Sequence, residues 1–431
     1  MSIGRLNRRT LLGGGAAVAG GAAVSMLGAS AAHAKPRRRV KTGIEVLAAN
    51  GFAELAGQRV GIISNPTGIM PDLTHEVDVM HESGAVDIVA VFGPEHGFRG
   101  TSQAGEGEDY FLDPKTGIPV YNAYNNKDQM AQMLVEADVE TLVFDIQDVG
   151  SRFYTYIWTM YLALEAAAEL GLRFVVLDRP NPISGKGVSG PVLHPEHSTF
   201  VGLKPIAQRH GMTVGELARL FNAEFVPQSV GTSADLTVVK MHGWHGDMYF
   251  EDTGLPWVAP SPNMPTVDTA VLYPGTCLFE ASALSEGRGT TQPFQLLGAP
   301  DIDHAWEEAL NAQDLPGVRF REGYFNPTFS KWSGQVCGGV EVQVTDRKRF
   351  DPIRTGLSMI ITQRQLFDQY GWRDQDGPGS YWLDKLTGNE NIRLAIEAGA
   401  DIDEVSCVWA DDLAEFADLR RSYLIYRPKR H

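Results

Sequence analysis

The chain has 431 residues, 43% of them apolar, with 37 basic against 53 acidic side chains and a formal net charge of −16. That length and apolar content supply one large or two ordinary cores and exclude a disordered chain. The acid excess argues against nucleic acid or an anionic membrane surface as partner, but it admits an anionic small substrate if arginines stand in the site.

In chain order, the first segment reads as an export signal. Asn7-Arg8-Arg9-Thr10-Leu11-Leu12 precedes a run of Gly, Ala, Val and Leu that closes on Ala32-His33-Ala34. Paired arginines, a weakly apolar stretch and a small-x-small site describe a twin-arginine leader over 1–34, cut after Ala34. The run is too rich in alanine and glycine for a bilayer anchor. Three basic residues and no acids leave with it, so the mature chain carries 34 against 53, a formal net of −19. The localisation expected is secreted, periplasmic or cell-wall-associated. Cys277, Cys337 and Cys407 are widely spaced without CxxC, which gives no disulfide framework and no zinc knuckle.

From residue 58, apolar runs of strand length alternate with helical patterns. QRVGIIS (58–64), DIVAVF (87–92), ETLVFD (140–145) and RFVVLD (173–178) read as buried parallel strands. LTHEVDVMHES, KDQMAQMLVEA, FYTYIWTMYLALEAAAEL and TVGELARLFNAEF carry apolar residues at helical spacing. This order predicts an α/β fold with a Rossmann-like, doubly wound, mainly parallel sheet. LPWVAPSPNMPTVDTAVLYPG (255–275) holds five prolines, predicts no regular element and marks a domain junction. The N-terminal domain then covers 35–262. Beyond it, helices near DHAWEEALNA, PIRTGLSMIITQRQLFDQYG and WADDLAEFADLRRSYL, with strands VRFREGYF and GGVEVQVTD, predict a smaller α/β or α+β domain over 263–431.

In an open parallel sheet, ligands sit beyond the carboxyl ends of the strands. Strand 87–92 is followed by Glu95 and His96; strand 140–145 ends at Asp145 and runs on to Asp148 and Arg152; strand 173–178 runs on to Arg179 and Asn181. Each has a structural reading too: Asp148 as N-cap of the helix opening near Phe153, Asp178-Arg179 as an ion pair in a loop, His96 as a satisfied loop histidine. Glu95, within Gly-Pro-Glu-His-Gly, has no helix to cap, and its exposure in a loop favours function. Arg209 and His210 precede a helix whose Thr213 and Glu216 form a capping box. LSEGRGTTQPF (284–294) adds Glu286 and Arg288.

Paired carboxylates in a cleft suit glycoside hydrolysis, one handing a proton to the leaving oxygen and the other ionised. GxSxG, a P-loop and HExxH are missing, and the first strand, QRVGIIS, leads into NPTG and not into GxGxxG, so serine-hydrolase, nucleotide, zincin and dinucleotide chemistry are not supported, and no cofactor is expected. Two further readings stand beside it. One is a solute-binding protein for amino sugars; the other is a metal-assisted hydrolase using His96, Asp145 and Asp148.

GIISNPTGI, FGPEHGFRG, DIQDVGSRFYTYI, VLDRPNPISG, RHGMTVGELA, SPNMPT and LSEGRGTTQPF, in this order from about Gly43 onward, resemble the exo-β-N-acetylmuramidases once filed as a domain of unknown function. The resemblance implies an active cleft between a Rossmann-like domain and a smaller one, and release of terminal N-acetylmuramic acid from peptidoglycan fragments. By its motifs, Glu95 is the expected catalytic acid and Glu286 the second carboxylate or a substrate ligand. His96, Asp145, Asp148, Arg152, Arg179, Asn181, Arg209, His210, Asn263 and Arg288 are the expected substrate-binding residues, and no metal is expected. The sugar's lactyl carboxylate gives arginines a bidentate, charge-assisted partner. A glutamate acting as acid near neutrality must hold its proton, which burial and an acidic neighbour such as Asp145 would favour.

Overall fold

Strand-length apolar runs become strands wherever both of their faces find cover. The computed structural model describes residues 39–103, 105–124, 127–374 and 379–426; the expected leader, with Arg8 and Arg9, lies outside them. In chain order the strands are β1 (Arg59–Ser64), β2 (Asp87–Gly93), β3 (Phe111–Leu112), β4 (Pro119–Asn122), β5 (Thr141–Asp145), β6 (Arg173–Leu177), β7 (Ser189–Val192), β8 (Ala207–Arg209), β9 (Asp235–Val239), β10 (Leu296–Ala299), β11 (Val318–Phe325) and β12 (Cys337–Val344). Seven of them form the main sheet in the order β3-β4-β2-β1-β5-β6-β9, parallel except for the antiparallel edge β3–β4. This is the expected mainly parallel α/β sheet.

Alternation along the strands explains the layers. Val60, Ile62 and Val143 join one apolar cluster with Ile44 and Val77, while Ile63, Leu142 and Phe144 join another with Tyr161 and Leu164. Two covered faces account for the near-continuous apolar runs. The edge strand β9 and the next-to-edge strand β4 escaped the sequence reading because they are short and half-exposed, without a long apolar run. The strand order reverses at β1, which has β2 on one side and β5 on the other, with Ser64 opposite Asp145.

One expectation fails in the proline-rich stretch. Val267–Thr276 is an α-helix with Thr266 accepting from the Thr269 N–H at its start and Pro274 in its last turns. The other prolines fall before it, and Pro274 removes one ladder bond from a helix whose residues 269–276 are all buried. This helix crosses Pro352–Leu366 with backbones in contact: a Cβ on Gly275 would lie 1.7 Å from the Pro352 carbonyl oxygen. The C-terminal part adds the antiparallel sheet β10-β12-β11 and helix His304–Ala312. Its Leu297, Trp306 and Ile353 belong to the same apolar cluster as Phe144 and Tyr161, so a single core runs from the parallel sheet into the smaller one.

Candidate active site

Glu95 owes its position to the bend after β2. His96 and Gly97 follow with φ of 71° and 81°, a left-handed pair that turns the chain sharply. Such a conformation costs His96 of order 1–3 kcal/mol unless its surroundings enforce it. They do: the His96 N–H donates to Glu106 O (2.9 Å), Ser102 N–H donates to His96 O (3.2 Å), and ring Nδ1 lies 3.1 Å from Ser102 O. A Cβ on Gly97 would strike the Glu108 carboxylate, which accepts from the Phe98 N–H. The loop is thus braced from within and leaves the Glu95 side chain free of turn duties. One oxygen of Glu95 accepts from the Gly105 N–H (2.7 Å), the other from the Thr155 hydroxyl (2.5 Å). Thr155 is the N-cap of helix Tyr156–Leu170, so the carboxyl group sits at a helix N-terminus.

Glu95 faces a cavity of about 1250 Å³. Its walls include His96, Tyr124, Tyr154 and Thr155 from the carboxyl ends of the strands, and Ser261 and Asn263 from the proline-rich segment. The C-terminal part contributes Glu280, Glu286, Arg288, Lys331, Trp332, Trp372, Arg373 and Trp382, with Phe200 at the rim. Glu286 is buried and ion-paired twice, to Arg288 Nε at 3.2 Å and to Lys331 Nζ at 3.0 Å. Arg288 also donates to Glu280 (2.8 Å) and lies over the Phe294 ring. Burial works against the Arg288 charge, but Glu280 and Glu286 prevail and hold its pKa above the usual arginine value. Lys331 is locked in place by the carbonyls of Phe279 and Leu284, each 2.9 Å away. Arg373 is exposed and, among the described residues, has no carboxylate partner.

Of the expected site residues, Glu95, His96, Asn263, Glu286 and Arg288 meet in this cavity. The other seven do not line it, and each is occupied elsewhere. Asp145 takes a bidentate pair from Arg179, with both side chains buried beside Glu76 and outside the cavity lining. Burial, and then the Asp145 charge, push the Glu76 carboxyl well above the usual range; Ser64 donates to it. Asp148 is not the N-cap of the helix after Phe153; it accepts from Gly150 N–H (2.7 Å) and faces His210 Nε2 (3.2 Å). Because His210 Nδ1 accepts from Met212 N–H, its proton sits on Nε2, toward Asp148. Asn181 closes a turn through Ile183 N–H and Met212 O, and Arg209 donates to the Ile183 carbonyl. Arg152 is wholly buried and donates to the carbonyls of Pro191 (2.8 Å), Ile206 (3.0 Å) and Leu386 (2.7 Å). Burial alone brings its pKa down to about 9. Asp145 is therefore no acidic neighbour to Glu95 within the cavity, and His96, Asp145 and Asp148 make no shared ligand set. Among the described residues no group of three His, Cys, Asp or Glu side chains could hold a metal ion.

Glu280, Lys331, Arg373 and the three tryptophans were not singled out from the sequence. The usable signal was local: FSKWSG (329–334) sets a lysine and a tryptophan among turn residues, as GPEHG does with Glu95.

The family model described as exo-β-N-acetylmuramidase NamZ, N-terminal, matches residues 60–268, and its C-terminal counterpart matches 271–426. The peptidoglycan β-N-acetylmuramidase NamZ of Bacillus subtilis (strain 168) is 48% identical over 390 residues, 90% of this chain and 92% of that protein. Crystal structures of two DUF1343 family proteins from Bacteroides fragilis NCTC 9343 superpose with TM-scores of 0.82 and 0.70, at 35% and 30% identity. Each covers 91% of this chain and all of its own. With both family segments present in order and a relative this similar along nearly its whole length, the chain belongs to the NamZ exo-β-N-acetylmuramidase family.

Proposed function

We infer that the protein is an exported glycosidase that releases terminal β-linked N-acetylmuramic acid from peptidoglycan fragments. The observation that carries this reading is the contrast between two carboxyl groups lining one cavity. Glu95 meets one backbone N–H and one hydroxyl, and that hydroxyl can accept as readily as donate, so Glu95 can hold a proton on that side. Glu286 meets two cations, the bonding pattern of a carboxylate anion. One acid and one anion are what glycoside hydrolysis requires. Glu95 gives its proton to the glycosidic oxygen as the bond from that oxygen to the anomeric carbon breaks, and the leaving sugar departs as an alcohol. Positive charge spreads over the ring and is stabilised by Glu286. Water then bonds to the anomeric carbon and gives up a proton to a carboxylate.

The rest of the cavity suits such a substrate. Its volume exceeds the roughly 300–1,000 Å³ of common small-molecule pockets, which leaves room for more than one sugar. Phe200 and Trp382, stacked with centroids 6.0 Å apart, offer an apolar wall, and Arg373, which has no carboxylate partner among the described residues, suits the lactyl carboxylate. The test is release of a chromogenic leaving group from a β-N-acetylmuramide and from the matching β-N-acetylglucosaminide. Turnover of the first alone supports both statements. Equal turnover of the two removes the carboxylate role of Arg373, and binding of either without product favours a solute-binding protein.

The same reading places the protein outside the cytoplasm, on the strength of Arg8-Arg9 and the Ala32-His33-Ala34 site. Replacing both arginines (Arg8→Lys, Arg9→Lys) is expected to strand the full-length precursor in the cytoplasm; unchanged export of that variant removes the twin-arginine route.

A further inference from the structure

A buried hydroxyl without a partner is a liability in a folded protein and a resource in a binding site. Tyr154 carries one on the wall that Glu95 occupies. It is 8% exposed and lines the cavity, and among the described residues no group meets its phenol oxygen in full hydrogen-bond geometry, the hydroxyls of Ser261, on the same wall, and of Tyr156 being its near neighbours. The ring is packed between two others. It is held edge-to-face by Tyr156 at 5.1 Å and by Tyr273 at 5.7 Å. The next residue, Thr155, hydrogen-bonds Glu95, so the phenol and the acid are set by the same turn at the head of helix Tyr156–Leu170. Asn263, also 8% exposed, lines the same cavity.

We propose that Tyr154 is a substrate-contacting residue whose phenol O–H donates to an oxygen of the terminal sugar, beside the bond that Glu95 protonates. This rests on the glycosidase reading for the identity of the sugar, though not for the presence of a ligand. The phenol is suited to donating and not to giving up its proton: burial, then the neighbouring Tyr156, raise its pKa well above the usual tyrosine value. A donor on the cavity wall that no protein group fully engages keeps bonding capacity for a ligand.

Tyr154→Phe keeps the ring and removes only the donor. Because no described group holds the hydroxyl in full hydrogen-bond geometry, Tm is expected to stay level or rise, whereas a structural hydroxyl would lower it. The fall expected in kcat/KM on a chromogenic β-N-acetylmuramide is about 10- to 100-fold. Calorimetric titration with free N-acetylmuramic acid gives a second reading at a temperature where both proteins are folded, with binding weakened about 10-fold. A variant that retains kcat/KM and sugar affinity within twofold overturns the proposal, and so does an activity loss fully matched by a loss of folded protein. If the wild type binds the sugar but turns over no muramide while Tyr154→Phe binds it weakly, the glycosidase reading fails and the contact stands. If the wild type binds no sugar, both fall.

Discussion

Two layers above the same sheet edge hold similar side chains and use them in opposite ways. In the lower one, Asp145–Arg179, Asp148–His210 and Arg152 are buried and face one another or the main chain. In the upper one, Glu95, Glu286, Arg288, Lys331 and Arg373 line an open cavity. Charge type does not separate the layers; access does. Lower-layer groups are closed in by protein, even where Asp148 Oδ1 and Arg152 Nε meet no partner, so removing one leaves a buried charge or carbonyl poorly matched. Upper-layer groups line the space a ligand would fill, even where Lys331 and Glu286 are fully engaged by protein. The lesson for reading such a site is to ask which charged groups a ligand can reach.

The comparison can be broken by experiments that separate activity from stability. The largest effect is expected for Glu95→Gln, which keeps the shape and removes the transferable proton: kcat falls by about 10²–10⁴-fold, while Tm stays close to that of the wild type. A comparable loss of Tm would move Glu95 into the structural layer. Next comes Arg152→Met in the lower layer, which takes a charged donor away from three carbonyls, of which Ile206 O keeps the Leu193 N–H. Chemical denaturation should show a loss of about 3–5 kcal/mol, and kcat per folded molecule should be unchanged. Activity lost from fully folded Arg152→Met would show that the layers are not separable.

The smallest effect sharpens the comparison through pH. Asp178 is fully buried, and burial first, then Glu216, push its carboxyl from 3.8 up to about 7. Between these values the folded protein keeps a proton that the unfolded chain has released. This contribution to stability is complete below about pH 4 and is lost as pH rises to 7. Asp178→Asn cannot ionise, and its amide oxygen can still accept from Arg179 N–H and Gly215 N–H, now 3.0 and 2.9 Å from the carboxylate. Going from pH 5 to pH 8, the variant should therefore gain roughly 2–4 kcal/mol relative to the wild type. Parallel pH curves for the two proteins in urea denaturation would remove Asp178 as the titrating group.

The sheet was legible because its signal is periodic. Val60-Gly-Ile-Ile and Leu142-Val-Phe need cover on both sides, and that requirement alone implies helices above and below. Glu95 was legible for a different reason: GPEHG gives a carboxylate no secondary structure to serve. The same logic misjudged Asp145, Asp148 and Arg152, since a strand's carboxyl end fixes where a side chain starts and not whether it points into the crevice or down into the packing. FSKWSG offered the same kind of signal for Lys331, whereas Trp372 and Arg373 were out of reach because nothing local marks them and only the folded C-terminal part brings them to the Glu95 cavity.

Arg152 has one more consequence. Its partners are carbonyl oxygens, which every amino acid supplies, so positions 191, 206 and 386 can drift freely without disturbing it. An alignment of relatives should then show a fixed column at 152 with no column that changes in step with it. Methods that infer proximity from paired substitutions would miss this junction between distant parts of the polypeptide, although few contacts in the molecule tie together segments so far apart.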